Sequence, residues 1–373
     1  SGSASTFDNV LIGDIGGTNI RLQILRLYHS PNQYHLKKVI KGLTTYAPRE
    51  FVSFAECLKH FLADVSPEDK PKVGVVGMAG PVNDNVISIT ANIPHWKQTD
   101  GNKLASQFGF RSFQLINDFT AAGYGVSVLN PENSVALGDS MKAPLLDGDR
   151  MTKVVIGPGT GLGHGLLVKE KQEDPYEIYG SEAGHADFSV VTDEDWELVK
   201  FARDFIENSD NVENLRAKGK VERMPVERLT AGPAVPLLYS FMKQKHPDLV
   251  SSIEKTKKFQ DIESKDVVNG AVLEKDPLCL KAIDKFIEGF GKQTGNVALS
   301  TLPFGGIYLT GGVTKGIRDY LLEYPDKFLV PFRSKDGLEE FMARFRVMIV
   351  NSDIELGLLG AEEKARREML RSK

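Results

Sequence analysis

The chain has 373 residues, a net charge of −4, 41% hydrophobic and 26% charged residues. This balance is that of a soluble globular protein long enough for two domains, and it gives no reason to expect nucleic acid or an anionic membrane as partner. No apolar run approaches the roughly 20 residues that span a bilayer. A basic-then-apolar leader is lacking, and Cys57 and Cys279 are too few for a disulfide framework or a Cys-rich zinc site, so a cytoplasmic enzyme is expected.

The first informative stretch runs from Leu11 to Arg21: an apolar run, the turn Gly16-Gly17-Thr18-Asn19, and a second apolar run. Ile20, Leu22 and Ile24 alternate with Arg21 and Gln23, which is a strand rhythm. Phe51, Phe54, Ala55, Leu58, Phe61, Leu62 and Val65 then recur at helical spacing. A buried strand is predicted over 73–78, a short one over 86–89, and another over 112–116 that ends in Asn117-Asp118, with a helix from near Phe119. This order predicts a mixed α/β sheet.

A second strand–turn–strand unit spans Val154 to His164, with Gly157, Gly159, Gly161 and Gly163 at every second position. Helices are predicted over 193–207 and 235–245. The charged stretch from Glu207 to Arg223 reads as a surface excursion, and 248–266, with Lys255, Lys257 and Lys258, as a solvated face. A long amphipathic helix is predicted over 278–299. A strand over 306–310 then leads through Gly311-Gly312 into a helix, and a last strand (346–350) and a closing helix (355–371) follow. The closing helix is expected to pack on the first domain, and the paired hairpins hint at a duplication.

The glycine turns carry the first chemical signal. Glycine lets backbone N–H groups approach and point at phosphate oxygens. Neither turn has the G-x-x-x-x-G-K-[ST] of a P-loop, and the alternate-residue glycines do not match a dinucleotide fingerprint. Asp14 leads straight into the first turn; beside phosphates it calls for a divalent cation in between, reached through water.

Asp118 follows a strand end, where ligand sites of open α/β sheets gather. It reads either as an acceptor for a substrate hydroxyl proton or as the cap of the next helix. Glu182 and His185, in the turn-rich stretch from Gly180 to Asp187, could take hydroxyl protons from a polyol or simply mark a surface turn. A metal there would need further ligands, and none is near in sequence. Asn92 and Asn117 offer amides, though Asn is also a common turn residue. Glu227 is either another ligand or an acid opening a helix.

Taken in order, Asp14-Ile-Gly-Gly-Thr18 with Arg21, Asn117-Asp118, Gly157-Pro-Gly-Thr-Gly161, Glu182-Ala-Gly-His185 and Gly311-Gly-Val313 resemble the bacterial-type glucokinase family of the actin/hexokinase/Hsp70-like ATPase superfamily. The resemblance covers nearly the whole chain. It implies an α/β fold of two actin/hexokinase-like, ribonuclease-H-like ATPase domains around a deep cleft. The division expected is a small domain of 1–116 plus 355–373 and a large one of 117–354. It also implies ATP-dependent phosphorylation of the glucose 6-hydroxyl, the entry step of glycolysis, with Mg2+ and a homodimer.

By motif, the resemblance makes Asp118 the general base. Asn92, Asn117, Glu182, His185 and Glu227 would hold the sugar. Asp14, Gly16, Gly17, Thr18, Asn19, Thr160, Gly161, Gly311 and Gly312 would serve the nucleotide, with Asp14 on the metal through water. The chain departs from the family pattern at Ala183, where a glycine is usual, and at Ala231-Gly-Pro-Ala234. The alternative is a related hexose kinase acting on fructose, mannose or an N-acetyl hexosamine. Relatives with a Cys-rich zinc element do not fit two scattered cysteines, and ten residues before Leu11 leave little for a DNA-binding helix pair.

Overall fold

A computed structural model describes residues 7–29, 36–88, 93–208 and 221–371. Asn92 and the middle of the charged excursion lie outside the described residues. The chain divides into two compact units: residues 1–129, 178–180 and 355–373, and residues 130–177 and 181–354.

The first unit contains β1 (Phe7–Ile15), β2 (Ile20–Tyr28), β3 (Lys37–Tyr46), α1 (Phe54–Leu62), β4 (Val73–Met78), β5 (Val86–Ile87), β6 (Thr99–Asp100), α2 (Gly101–Phe108), β7 (Ser112–Asn117) and α3 (Asp118–Ser127). Its main sheet has the order β3-β2-β1-β4-β7. The β1–β2 hairpin and the β2–β3 pair are antiparallel, and β4 lies parallel to both β1 and β7. Strand alternation sends successive side chains to opposite faces. Leu11 and Ile15 meet Phe54, Leu58 and Phe61 of α1 on one face. Val10 and Ile12 meet Tyr124 of α3 and Leu358, Ala361 and Ala365 of the closing helix on the other.

The helices on that second face approach through glycine. A Cβ at Gly125 would stand 2.5 Å from the Leu356 carbonyl oxygen, and one at Gly360 would overlap that of Ala121. No larger residue permits such backbone proximity, so these two glycines fix how the closing helix sits on α3.

The second unit contains β8 (Ser134–Ala136), β9 (Met151–Pro158), β10 (Leu162–Lys169), the two ends of β11 (Glu177–Ser181), α4 (Asp193–Asn208), α5 (Glu227–Thr230), α6 (Ala234–Lys245), α7 (Ser264–Val272), α8 (Pro277–Thr301), β12 (Ile307–Leu309), α9 (Gly312–Gly316), α10 (Arg318–Glu323), α11 (Asp326–Arg333), α12 (Glu339–Met342) and β13 (Val347–Val350). The closing helix, α13 (Leu356–Arg371), belongs to the first unit. The sheet order here is β11-β10-β9-β12-β13-β8. Again an antiparallel hairpin, β9–β10, is followed by two parallel neighbours, β12 and β13. The two units thus repeat one plan, a hairpin flanked by parallel strands, which accords with the paired glycine hairpins. α8 is the spine of the core: Ile283, Phe286, Ile287 and Phe290 are fully buried. Asp276 caps it, accepting from the N–H groups of Leu278 and Cys279 at 3.0 Å, and Pro277 supplies the first helical position without an unmet donor.

Candidate active site

In the first unit the strands deliver Asp14 and Asp118 to the carboxyl ends of β1 and β7. Asp14 stands one residue before the end of β1, and the turn that follows is closed by the Gly16 N–H donating to the Asn19 carbonyl at 2.9 Å. Thr18 at its tip is exposed. A Cβ at Gly16 would meet nothing within 4 Å, so the backbone there faces open space. Arg21 Nη1 reaches the Asp14 carboxylate at 3.3 Å.

Asp118 is the first residue of α3, and the helix cap is its neighbour. Asn117 has extended backbone (φ −61°, ψ 147°), and its Oδ1 accepts from the N–H groups of Phe119 and Thr120 at 2.9 and 3.1 Å. Its Nδ2 donates to the Gly80 carbonyl at 3.1 Å. The capping duty that could have explained Asp118 is therefore performed by Asn117. Asp118 itself is half-buried, and its Oδ1 also accepts the Phe119 N–H at 3.0 Å.

In the second unit Glu182, His185 and Glu227 come together. Ala183–His185 is a single 3-10 turn entered from Glu182. His185 Nε2 lies 3.7 Å from Glu182 Oε2, and His185 Nδ1 lies 3.5 Å from Glu227 Oε1. Glu227 opens α5, as an acid at a helix start does, but its Oε2 also accepts the Leu162 N–H at 3.3 Å. It therefore joins the second glycine turn to His185. Two glycines permit this: a Cβ at Gly161 would stand 2.6 Å from Glu227 Oε2, and one at Gly184 would stand 2.3 Å from the Leu162 carbonyl. Glu182 and His185 are about 60% exposed, Glu227 only 24%. Exposed hydrogen-bonding groups beside a half-buried anchor suit a polyol that is held by side-chain donors and acceptors.

The second glycine turn and the Gly311-Gly312 turn share one end of this unit. The Gly159 N–H donates to the Gly161 carbonyl at 2.8 Å, and the Gly232 N–H to that of Gly159 at 2.7 Å. A Cβ at Gly157 would stand 2.4 Å from the Thr310 carbonyl oxygen. Gly311 has φ +95°, a conformation L side chains rarely adopt, and a Cβ there would stand 2.6 Å from the Pro158 carbonyl. Thr160 and Gly312 are exposed, and nothing lies within 4 Å of a Cβ built at Gly312. The residues read from sequence as nucleotide-binding in this unit are thus gathered on adjoining backbone.

Sequence reasoning missed Glu355, whose Oε2 lies 3.6 Å from Arg21 Nη1. It precedes the closing helix in an unremarkable polar run and carries no local signal. Among the described residues no group of three or more His, Cys, Asp or Glu side chains is arranged to hold a metal ion. Nor is any helix among them long and apolar enough to cross a membrane.

A glucokinase family model matches residues 11–368. A glucokinase of Nostoc sp. is 30% identical over 363 residues, which is 94% of this chain and 97% of that protein. The solved glucokinase of Balamuthia mandrillaris, in complex with glucose, superposes with a TM-score of 0.75 at 17% identity, over 96% of this chain and 94% of that one. A ROK-family glucokinase from Streptomyces griseus, in complex with glucose and AMPPNP, gives a TM-score of 0.61 at 17% identity, over 96% of this chain and 99% of that one. With an actin/hexokinase-like two-unit α/β fold and a sequence match along nearly its whole length, the chain belongs to the glucokinase family, enzymes that phosphorylate glucose with ATP.

Proposed function

We propose that the chain transfers the γ-phosphoryl group of MgATP to the 6-hydroxyl of D-glucose, giving glucose 6-phosphate and ADP, with Asp118 as general base. The observation that carries this reading is the position of Asp118: a half-buried carboxylate at the end of a parallel strand, with the adjacent Asn117 performing the helix cap. A carboxylate is far too weak a base to ionise a sugar hydroxyl in advance. Asp118 orients the hydroxyl and takes its proton as the bond from oxygen to phosphorus forms.

The sugar is assigned to Glu182, His185 and Glu227, with Asn117 and Asn92 as further amides. Convergence of the first three supports their part. Buried polar groups that a wrong epimer would leave unpaired give discrimination. The phosphates are assigned to the backbone at Gly16, Gly17, Thr18, Asn19, Thr160 and Gly161, and the adenosine end to Gly311 and Gly312. The open space above Gly16 and Gly312 supports this. N–H groups aimed at the transferring group stabilise its charge. Magnesium arrives as part of the nucleotide substrate, and Asp14 is the residue suited to meet it through water. The two compact units serve as the two catalytic domains. The enzyme works in the cytoplasm as a homodimer, at the entry of glycolysis.

The product tests the reading. Incubation with MgATP and D-glucose should give the 6-phosphate by phosphorus and carbon NMR, and 6-deoxy-D-glucose should give none. Phosphate on another hydroxyl, or faster turnover of fructose, mannose or an N-acetyl hexosamine, would replace it with the related-kinase reading.

A further inference from the structure

In the second unit, the stretch after His185 and the stretch before Glu227 form a short antiparallel bridge. Asp187 pairs with Pro225, and two bonds flank the pair: the Phe188 N–H donates to the Met224 carbonyl at 2.8 Å and the Val226 N–H to the Ala186 carbonyl at 2.7 Å. An antiparallel pair of this kind exchanges no bonds of its own, so the N–H that Pro225 lacks is not missed. Alternation sorts the side chains. Phe188, Met224 and Val226 are buried in the core, while Asp187 and Arg223 are exposed on the outer face. Stepping two residues along each stretch from the Asp187–Pro225 pair, on that same face, brings His185 opposite Glu227, and these meet at 3.5 Å. The bridge thus sets the register of the sugar pair, and a slip of one residue would turn one partner inward.

The inner face of the bridge is held by core packing. Its outer face is clamped by a forked ion pair: Arg223 Nε donates to Asp187 Oδ1 at 2.9 Å, and Arg223 Nη2 to Asp187 Oδ2. Arg223 stands diagonally across from Asp187, a spacing that a long side chain spans, and a fork of two bonds fixes direction as well as distance. We infer that Asp187 and Arg223 are positioning residues for the sugar: their fork pins the bridge in the register that holds His185 and Glu227 together. The inference rests on the assignment of the sugar to His185 and Glu227 above. An exposed pair adds little to global stability. It acts here on a local opening, in which the outer edge frays while the core stays folded. Only the closed bridge has both sugar residues in place, so the apparent affinity for glucose falls with the population of that form.

The test is steady-state kinetics and thermal melting of the full chain, Asp187→Asn, Arg223→Gln, Arg223→Lys and the Asp187→Asn/Arg223→Gln double variant. Asp187→Asn and Arg223→Gln should each raise the KM for glucose about two- to fivefold, the span of one exposed pair. The kcat, the KM for MgATP and Tm should stay at wild type. The double variant should match the singles, since either substitution abolishes the fork, and Arg223→Lys, which keeps the charge without the fork, should fall between them and wild type. An unmoved KM for glucose, effects that multiply in the double variant, or a lowered Tm with a fall in kcat overturn the inference while leaving the kinase reading intact. A wild-type chain that leaves glucose unmodified overturns both.

Discussion

Asp195 is fully buried near the start of α4, yet it is surrounded by charge. It accepts from Lys285 at 2.9 Å and Lys292 at 2.7 Å, both on α8 and both buried, and from the N–H groups of Val191 and Thr192 at 3.0 Å. Its own N–H donates to Thr192 Oγ1 at 3.2 Å, which completes a reciprocal cap. Replacing Asp195 with Ala removes the acceptor for two buried ammonium groups and ends the cap. Glu288 still touches both lysines, so the loss is put in the middle of the range for a broken buried pair, about 4 kcal/mol. In a unit of this size that lowers Tm by about 8–16 °C. Differential scanning calorimetry at pH 7 measures it, with Asp187→Ala as control. The Asp187–Arg223 pair is exposed, and its loss should leave Tm unchanged. Burial raises the Asp195 carboxyl, but hydrogen bonds from Lys292, Lys285 and the Val191 N–H outweigh it and hold the group well below the usual range. Its contribution is therefore complete above the unfolded pKa of about 4 and is lost as pH falls below that. An Asp195→Ala transition within about 2 °C of wild type at pH 7, or an undiminished gap at pH 3, would refute the reasoning.

Three further outcomes follow from the same geometry. His164 on β10 is 3% exposed and neither ring nitrogen has a partner among the described residues; burial pushes its imidazole down to about 4. Folding stability should therefore fall by about 3 kcal/mol between the unfolded pKa near 6.5 and pH 4. Urea midpoints should show that acid loss shrinking in His164→Leu; an identical slope in the variant refutes the assignment. Glu227→Gln, which keeps bulk but loses the charge beside His185, should raise the KM for glucose about tenfold or more with little change for MgATP; steady-state kinetics showing the reverse pattern would move Glu227 out of the sugar site. A Cβ at Gly357 would stand 2.8 Å from Asp14 Cγ, so Gly357→Ala must displace Asp14, and a shift of about 1 Å at such a site costs about 10–100-fold in turnover; a kcat equal to wild type would show that Asp14 tolerates displacement.

What could be read from sequence follows the range of the signal. Val73–Met78 was legible because every residue of the strand is buried and apolar. The closing helix and α8 were legible from their long periodic faces. β3 was not read: it is an edge strand rich in lysine, with Gly42 inside and register shifts against β2, so neither alternation nor composition marks it. Which of Asn117 and Asp118 caps the helix stays open in the sequence because Asn and Asp cap equally well, and only the extended backbone of Asn117 gives it the cap. Glu227 was read as either helix-opening acid or ligand, and it opens α5 while also bonding the second turn. The Asp195–Lys285 pair, 90 residues apart, and Glu355 beside Arg21 depend on tertiary folding and leave no local trace.

The central claim is glucose-dependent phosphoryl transfer with Asp118 receiving the proton. ADP release from MgATP, with and without D-glucose, on the wild-type chain and on Asp118→Ala, tests it most directly. The account predicts release that glucose stimulates in the wild type and that falls by a factor of about 100 or more in the variant, whose folding is unchanged. Release independent of glucose, or equal in the two proteins, would contradict it.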